Sequence, residues 1–308
     1  MSNLLQRSEI VFLYDIKDAN PNGDPLDGNK PRMDEETGIN LVTDVRLKRT
    51  IRDYLYDFKG QEIFVREIFK ENGTIQSGKE RSADFGKDAQ EVAKNVLDKC
   101  IDVRLFGATI PLNNNSVTFT GPVQFNMGRS LHKVEVTYIK GTGAFASGES
   151  SKQKTFREEY IVPYSLIGFY GIINENAAQH TNLAEQDVDL LMEAIWNGTK
   201  NLISRSKIGQ MPRLLLKVDY AEHSYHIGDL LSGIKLITSK SDEREIRGMD
   251  DFVLDFSGLV NKLEKNRQRI AGIKLQVDEG LQIQKEGQAI ELAKVISDLG
   301  IKLDVMQF

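Results

Sequence analysis

Three segments between residues 9 and 58 decide the fold. They are EIVFLYDI (residues 9–16), DANPNGDPLDGNKPR (residues 18–32) and TDVRLKRTIRDYLYDF (residues 43–58). The first segment is a short apolar run bounded by turn residues, which predicts a buried β-strand. The third segment has an N-cap residue at Thr43 or Asp44, followed by apolar residues at helical spacing, which predicts an amphipathic helix. The loop between them is long for a compact domain, where such a loop usually has a function.

The loop begins like a calcium-binding EF-hand, because oxygen-bearing side chains alternate at Asp18, Asn20 and Asn22 and a glycine follows at Gly23. The twelfth position of an EF-hand is a bidentate Glu, and here it is Asn29. Prolines interrupt the loop, and a strand rather than a helix precedes it. The Asn-Pro and Asn-Gly pairs therefore predict consecutive turns rather than a calcium site.

The predicted helix is the most basic helix that the sequence predicts. Lys48 and Arg52 stack one turn apart at the edge of its apolar face, and Arg46 and Arg49 extend the charge onto the expected solvated side. A solvated helix flank gives the same pattern as a phosphate-binding surface. The second interpretation predicts neutralisation of a nucleic-acid backbone without reading of its sequence.

Composition limits where such a surface lies. The 308 residues carry 40 Lys and Arg against 45 Asp and Glu, so the net charge is −5 and any nucleic-acid surface must be local. The single cysteine, Cys100, excludes an intrachain disulfide and fits a reducing cytoplasm. Residues 1–8 lack the apolar region of a secretion signal, and no apolar run is long enough for a membrane span. We therefore expect a cytoplasmic protein.

A second unusual segment runs from residue 140 to residue 159 and is rich in glycine and serine. Strand-like sequence flanks it on both sides, so it has the outline of a long β-hairpin arm. Disorder in the isolated chain is the alternative, because such a composition cannot support a packed core. Phe145, near the tip of the arm, is a candidate to wedge against a base.

A basic turn follows in the third quarter of the chain. Arg205, Lys207 and Arg213 lie between a predicted helix and a strand that begins at Leu214. They are candidate phosphate contacts, and a solvated loop is an equally good interpretation.

The remaining pattern mixes helices and strands at irregular spacing, which predicts an α+β fold. The predicted elements include a helix over 87–100, a strand over 117–125, period-two alternation over 134–139, a helix from Thr181 or Asn182 to Trp196, and a helix over 288–298.

The sequence gives little support for catalysis. His132, His180, His223 and His226 do not have zinc-site spacing, and no P-loop or nucleophile elbow is present. The loop aspartates remain an alternative, since they could bind a metal for phosphodiester cleavage; they are Asp18, Asp24, Asp27 and Asp34. Turn formation and helix capping are the favoured roles of these residues.

Several motifs together resemble the CRISPR-associated Cas-seven family, in its Csh-two/Csd-two branch. They are Tyr14-Asp15, Asn20-Pro21-Asn22-Gly23-Asp24-Pro25, Arg32-Met33-Asp34, residues 42–49 with Arg52-Asp53, residues 102–107, residues 120–125, Gly128-Arg129-Ser130-Leu131 and residues 160–164. The resemblance covers the N-terminal half well, adds little after residue 175, and is greatest to the type I-B form.

The resemblance implies a hand-shaped protein with an RRM-like (ferredoxin-like) palm. Residues 1–60, 101–137 and 161–308 would form the palm and C-terminal elements, residues 61–100 a fingers insertion, and residues 138–160 a thumb hairpin. Copies would polymerise in a helical filament along the spacer of a CRISPR RNA and present it to a target DNA strand. The other expected partners are Cascade subunits of the Cas-five, Cas-six, large Cas-eight and small types.

The expected RNA contacts combine the basic helix, the hairpin, the basic turn and two motif arginines, Arg32 and Arg129. The resemblance implies a non-catalytic scaffold without cofactor, metal or membrane. The related type III backbone subunits cleave target RNA with a loop aspartate, so a metal-dependent ribonuclease using Asp24 or Asp34 remains the alternative.

Overall fold

The computed structural model describes residues 6–112, 115–146 and 154–308, without the side chains of residues 142–157. The helices of these ranges are α1 (Asp44–Asp57), α2 (Gly78–Ala83), α3 (Ala89–Lys99), α4 (Ile101–Phe106), α5 (Glu175–Thr181), α6 (Glu185–Lys200), α7 (Ser257–Lys265) and α8 (Leu292–Asp298). The strands are β1 (Ser8–Ala19), β2 (Gly23–Asp24), β3 (Lys30–Pro31), β4 (Met33–Asp34), β5 (Ile39–Val42), β6 (Gly107–Pro111), β7 (Ser116–Thr120), β8 (Val123–Phe125), β9 (Gly128–Lys133), β10 (Thr137–Ala146), β11 (Lys154–Ile173), β12 (Met211–Tyr220), β13 (Lys235–Ile237), β14 (Val253–Asp255), β15 (Ile270–Val277), β16 (Ile283–Lys285), β17 (Gln288–Ala289) and β18 (Leu303–Val305).

A ten-stranded mixed sheet organises these elements, in the order β18-β15-β12-β1-β11-β9-β5-β4, with β8 and β10 also paired to β11. The neighbours of β1 are both antiparallel to it: β11 pairs from Ser8↔Ile173 to Ala19↔Val162, and β12 lies on the other side. Only β15 and β18 are parallel in this sheet among the described strands. The predicted α+β fold class is thus confirmed to the extent that the structure mixes helices and strands around one large mixed sheet.

Strand β1 is buried on both faces. Ile10 and Phe12 point into the cluster that contains α1 and α6, and Val11 and Leu13 point into the opposite cluster. Successive side chains of a strand leave opposite faces of the sheet, so a strand covered on both sides must be apolar at successive positions. This explains the uninterrupted apolar run at residues 10–14.

The second face is covered by the C-terminal third of the chain. Helices α7 and α8 pack there with a four-stranded sheet in the order β13-β14-β16-β17. Residues 61–100 instead form part of a small separate cluster around Phe64, Phe85 and Val96. The predicted helix of this segment is present as α3, and α2 was not predicted.

The predicted hairpin arm is present in the backbone as the antiparallel pair of β10 and β11. Pairing runs from Thr137↔Ile161 outward to Ala146↔Lys154. Strand β11 continues from the arm into the sheet and pairs with β1 there, so one strand of 20 residues belongs to both. The side chain of Phe145 lies outside the described part of the structure.

Three predicted elements have different limits. The helix expected to begin at Thr181 or Asn182 is α6 and begins at Glu185, because Asn182 has φ 56° and ends α5 instead. The strand predicted over 117–125 is two strands, β7 and β8, separated at residues 121–122. The alternation at 134–139 covers the connection between β9 and β10 and the first residues of β10; in the connection, Val134 N–H donates to the carbonyl of Gly38.

Gly121 separates β7 from β8 because its backbone lies against the end of α4. A Cβ atom at Gly121 would be 2.0 Å from the carbonyl carbon of Phe106, and one at Gly107 would be 2.1 Å from the carbonyl oxygen of Phe119. Gly107 also has φ 69°, which other residues rarely adopt. The two glycines therefore allow α4 and β7 to approach closely.

We expect Gly121→Ala to lower the free energy of unfolding by about 1–3 kcal/mol or more, because backbone rather than a flexible side chain occupies the new Cβ position. Urea denaturation followed by circular dichroism measures the change. Gly248→Ala is the matched control, since no atom lies within 4 Å of its added Cβ and its φ of 179° is extended. A similar loss of stability in both variants would contradict the close approach.

Candidate nucleic-acid interface

The asparagine side chains of the first loop form hydrogen bonds that fix the conformation of the loop. Asn20 Nδ2 donates to the carbonyl of Asn29 at 2.7 Å. Asn22 Oδ1 accepts from the backbone N–H of Thr43 at 2.9 Å and from its hydroxyl at 3.0 Å, next to the N-terminus of α1. The hydroxyl of Thr43 in turn accepts from Arg46 N–H at 3.2 Å and caps the helix, as the sequence predicted. These contacts fit a turn-forming role for the loop.

The basic turn lies directly on this loop. Lys207 Nζ donates to the carbonyls of Asn20 at 2.7 Å and Pro21 at 3.1 Å, and Asn20 N–H donates to the carbonyl of Ser206 at 2.9 Å. Burial of the ammonium group, together with the nearby positive charge of Arg46, lowers the pKa of Lys207 to about 8. Lys207 makes no ion pair with any residue that the structure describes.

The base of the hairpin completes this region. Arg205 is 59% exposed and pairs with Glu159 at 3.0 Å, and the Lys30 ammonium lies 5.4 Å from the ring centroid of Tyr160. We call residues 20–32, 158–160 and 204–210 the junction. It brings together three segments that are far apart in sequence; the basic turn was predicted as a phosphate contact, and Arg32 of the loop was among the expected RNA contacts.

Arg46 corrects one expectation about α1. It was expected on the solvated side of the helix, and it is half-buried, with Nη2 donating to the hydroxyl of Thr50 at 2.9 Å. Its Nε is buried without a hydrogen-bond partner in the described chain. Burial lowers the pKa of the Arg46 guanidinium, which remains close enough to Lys207 to repel its charge.

The other basic residues of α1 have carboxylate partners. Arg49 pairs with Asp53 at 2.7 Å and is 44% exposed. Lys48 is 12% exposed, and its ammonium lies 3.1 Å from Asp44 Oδ2 and 3.2 Å from Gln124 Oε1. Of these residues, Arg49 is the most open to a new ligand.

Arg52 has a structural role. It is 11% exposed and pairs at 2.9 Å with Asp102, which is fully buried. The same carboxylate accepts from the backbone N–H groups of Phe64 at 2.8 Å and Val65 at 3.1 Å. Because it satisfies a buried charge, Arg52 attaches the start of the 61–100 segment to α1.

The two motif arginines engage the loop aspartates. Arg32 pairs with Asp24 at 2.9 Å, and Arg129 pairs with Asp34 at 2.6 Å. Hydrogen bonds from Thr37 and Arg129 lower the pKa of the Asp34 carboxyl. Arg129 is 51% exposed, so its guanidinium also faces solvent.

Arg213 lies away from this exposed set. It is 13% exposed and pairs with Asp15 and Asp278, each at 3.0 Å. The hydroxyl of Tyr164 also donates to Asp15 at 2.8 Å. Arg213 is therefore part of an internal network, and the motif residues Asp15 and Tyr164 belong to it.

Sequence reasoning missed a buried ion pair formed by α4. Arg104 forms two parallel hydrogen bonds with Asp187, at 2.8 and 2.9 Å, and both side chains are less than 10% exposed. The signal was present, since Asp102 and Arg104 are charged residues within an otherwise apolar segment. The matched motif at 102–107 thus consists largely of structural residues.

Within the described ranges, no three His, Cys, Asp or Glu side chains cluster in a way that would hold a metal ion. No helix there is long and apolar enough to cross a membrane.

The fold is that of chains from RNA-guided CRISPR assemblies. The solved structure "CRISPR RNA-guided surveillance complex, pre-nicking" contains a chain with a TM-score of 0.55 at 12% identity, covering 96% of this chain and 99% of that chain. A chain of a second structure, "CRISPR RNA-guided surveillance complex", has a TM-score of 0.51 at 14% identity, covering 96% and 98%.

The family follows from sequence. The chain is 36% identical over 305 residues to the CRISPR-associated protein Cas7 of Haloferax volcanii, covering 91% of this chain and 89% of that protein. The sequence profile of the family described as CRISPR-associated protein Cas7 matches residues 6–257. This protein belongs to the Cas7 family, and the predicted resemblance is confirmed at that level.

We expect Arg52→Ala to lower the free energy of unfolding by about 3 kcal/mol or more, because it leaves the buried Asp102 carboxylate without its cation. Arg49→Ala, on the same helix, removes an exposed i,i+4 pair and should cost less than about 0.5 kcal/mol. Urea denaturation of both variants measures the difference. Equal effects would show that Asp102 does not depend on Arg52.

Proposed function

We propose that this chain is a CRISPR RNA-binding backbone subunit of a type I surveillance complex, of the type I-B form, acting in the cytoplasm in antiviral defence. Copies would assemble along the spacer of the RNA and present it for pairing with a target DNA strand. The expected further partners are the Cas-five, Cas-six, large Cas-eight type and small subunits. Family membership supports this assignment.

The observation that carries the proposal is the junction. Arg205 and Lys207 from one segment and Lys30 and Arg32 from another meet beside the base of the hairpin. Arg129 is exposed nearby, since it pairs with Asp34 of the short strand that follows the loop. Cations on several rigid elements around a projecting arm suit a nucleic-acid backbone that passes between them.

The sheet topology supports an RRM-like palm. Strands β9, β11, β1 and β12 are adjacent in this order, each neighbouring pair is antiparallel, and α1 and α6 pack on one face of them. Taken along the chain, this is the β-α-β-β-α-β order of the ferredoxin-like motif. In that scheme residues 61–100 would be the fingers and the β10–β11 pair the thumb.

The chemistry of the exposed residues suits a spacer of any sequence. Arginine and lysine side chains contact phosphates, and such contacts fix the position of a nucleic acid without reading its bases. Most of these cations already have carboxylate partners, so RNA phosphate would replace a carboxylate in each pair. Binding should therefore depend strongly on salt.

We expect the double variant Arg129→Gln with Arg205→Gln to bind single-stranded RNA more weakly for every sequence, because it removes two exposed cations. The slope of log affinity against log salt should fall by about 1.4 if each contacts one phosphate. Filter binding of the full chain at several salt concentrations measures both quantities.

The control is Lys265→Gln with Arg267→Gln, which changes the net charge equally. These residues are exposed near the first residue of β15, which pairs with Tyr220 at the opposite end of β1 from the junction. At about 3.3 Å per residue, β1 spans about 40 Å. Equal weakening by both double variants would remove the junction from the RNA surface.

We also propose that the chain is non-catalytic. Asp24 and Asp34, the aspartates of the ribonuclease alternative, are each engaged by an arginine, Arg32 or Arg129. A carboxylate held by a guanidinium is a poorer ligand for a divalent cation.

RNA-loaded protein incubated with complementary RNA and Mg²⁺ should leave that RNA intact on a denaturing gel. Regularly spaced cuts that disappear in Asp24→Ala or Asp34→Ala would establish the ribonuclease instead. Cuts that persist in both variants would point to a contaminating nuclease, which a mock purification would reveal.

A further inference from the structure

Two tyrosines face each other across the base of the hairpin. Tyr138 and Tyr160 are register partners in the β10–β11 pair, and their ring centroids are 5.0 Å apart at an interplanar angle of 43°. Tyr160 is half-buried and lies beside the Lys30 ammonium, whereas Tyr138 is 45% exposed. The open aromatic surface of the pair therefore belongs to Tyr138.

This aromatic pair lines a groove of about 930 Å³ that lies beside the junction. Arg32 and Met127 contribute to its wall, and Met127 is 47% exposed. Arg244 and Arg247, from the segment after β13, also line it. The groove thus combines an exposed ring with apolar surface and guanidinium donors, and its size is that of a typical small-ligand site.

The aspartates of the groove pair with cations, whereas its glutamates form no ion pair within the described part of the chain. Asp24 pairs with Arg32, Asp27 with Lys30, and Asp242 with Arg244. A hydrogen bond to Glu158 raises the pKa of Tyr138 to about 12, so its ring stays neutral at physiological pH. Acidic residues still outnumber basic ones in the lining, which favours an uncharged group over a phosphate.

We propose that Tyr138 stacks a nucleobase of the bound single-stranded RNA inside this groove, while the junction holds the flanking phosphates. The inference rests on the proposed function and adds a base-stacking position to it. Any of the four bases fits, because each presents a π-face and stacking does not read sequence. Tyr160 supports the ring of Tyr138 from across the hairpin.

The test uses single-stranded RNA with 2-aminopurine placed at successive positions and titrated with the full chain. Wild type and Tyr138→Phe should quench the fluorophore at particular positions, because a stacked base loses fluorescence. Tyr138→Ala and Tyr138→Leu should abolish that quenching and weaken binding about tenfold. The salt slope should be unchanged in all three variants, because none removes a charge.

Tyr56→Ala is the matched control, since Tyr56 is 42% exposed and lies on α1 outside this groove. It should leave quenching and affinity as in the wild type. Quenching that survives in both Tyr138→Ala and Tyr138→Leu would overturn the inference. The inference would also be overturned if these variants changed the oligomeric mass of the RNA-free protein in solution but left the quenching unchanged. That result would assign Tyr138 to a protein contact.

The two proposals fail in different ways. The proposed function is supported if the wild-type chain binds RNA and the double variant Arg129→Gln with Arg205→Gln has a smaller salt slope. This result does not depend on the quenching measured for the Tyr138 variants. If the wild type, free of bound nucleic acid, binds no RNA at any salt concentration, both proposals are overturned.

Discussion

The structure depends on the pairing of β1 with β11 and β12. This pairing places one apolar strand at the centre of a ten-stranded sheet, and each face of the strand contributes to a different core. The helices of the first face and the C-terminal elements of the second face are therefore positioned by the same strand. The hairpin arm is fixed to it as well, because β11 runs from the arm into the sheet without a break. A surface made from the loop, the basic turn and the hairpin is held in place because all three emerge from these central strands.

Compensation of charge is the second constraint. The chain has a net charge of −5. Near the junction, Lys30, Arg32, Arg129 and Arg205 each pair with a carboxylate. Two kinds of pair result. Arg52 and Arg104 are buried with their partners and stabilise the fold, whereas Arg49, Arg129 and Arg205 are exposed with theirs and can exchange them. An acidic protein can thus bind an anionic polymer, provided that the polymer enters where the pairs are exposed.

Local pattern predicted the local structure. The apolar run at residues 10–14 predicted β1, and the N-cap with apolar residues at helical spacing predicted α1. The Gly/Ser-rich segment between strand-like flanks predicted the hairpin. The sequence pattern did not predict which residues form ion pairs. Arg52 pairs with Asp102 and Arg213 pairs with Asp15, and both pairs join residues that are far apart in sequence. Spacing along a helix cannot distinguish a cation that faces solvent from one that meets a buried carboxylate of another element. Tyr138 was missed for the same reason, since its exposure beside a groove depends on tertiary packing. The limits of α6 were missed because Asn182 adopts a left-handed conformation that ends the preceding helix.

The pairing of Ser8 with Ile173 also has a consequence for how the chain folds. This central strand is made early during translation, yet the first of its two neighbours along the chain, β11, is complete only after residue 173. At about 5–20 residues per second, the ribosome takes on the order of ten seconds or more to supply that neighbour. During this interval both edges of β1 are unpaired and the face that the C-terminal elements cover is open, which is the condition under which strands associate with other chains. Contacts between such distant residues also form slowly. Soluble production of this protein should therefore depend on the rate of synthesis and on chaperones that cover the nascent N-terminus.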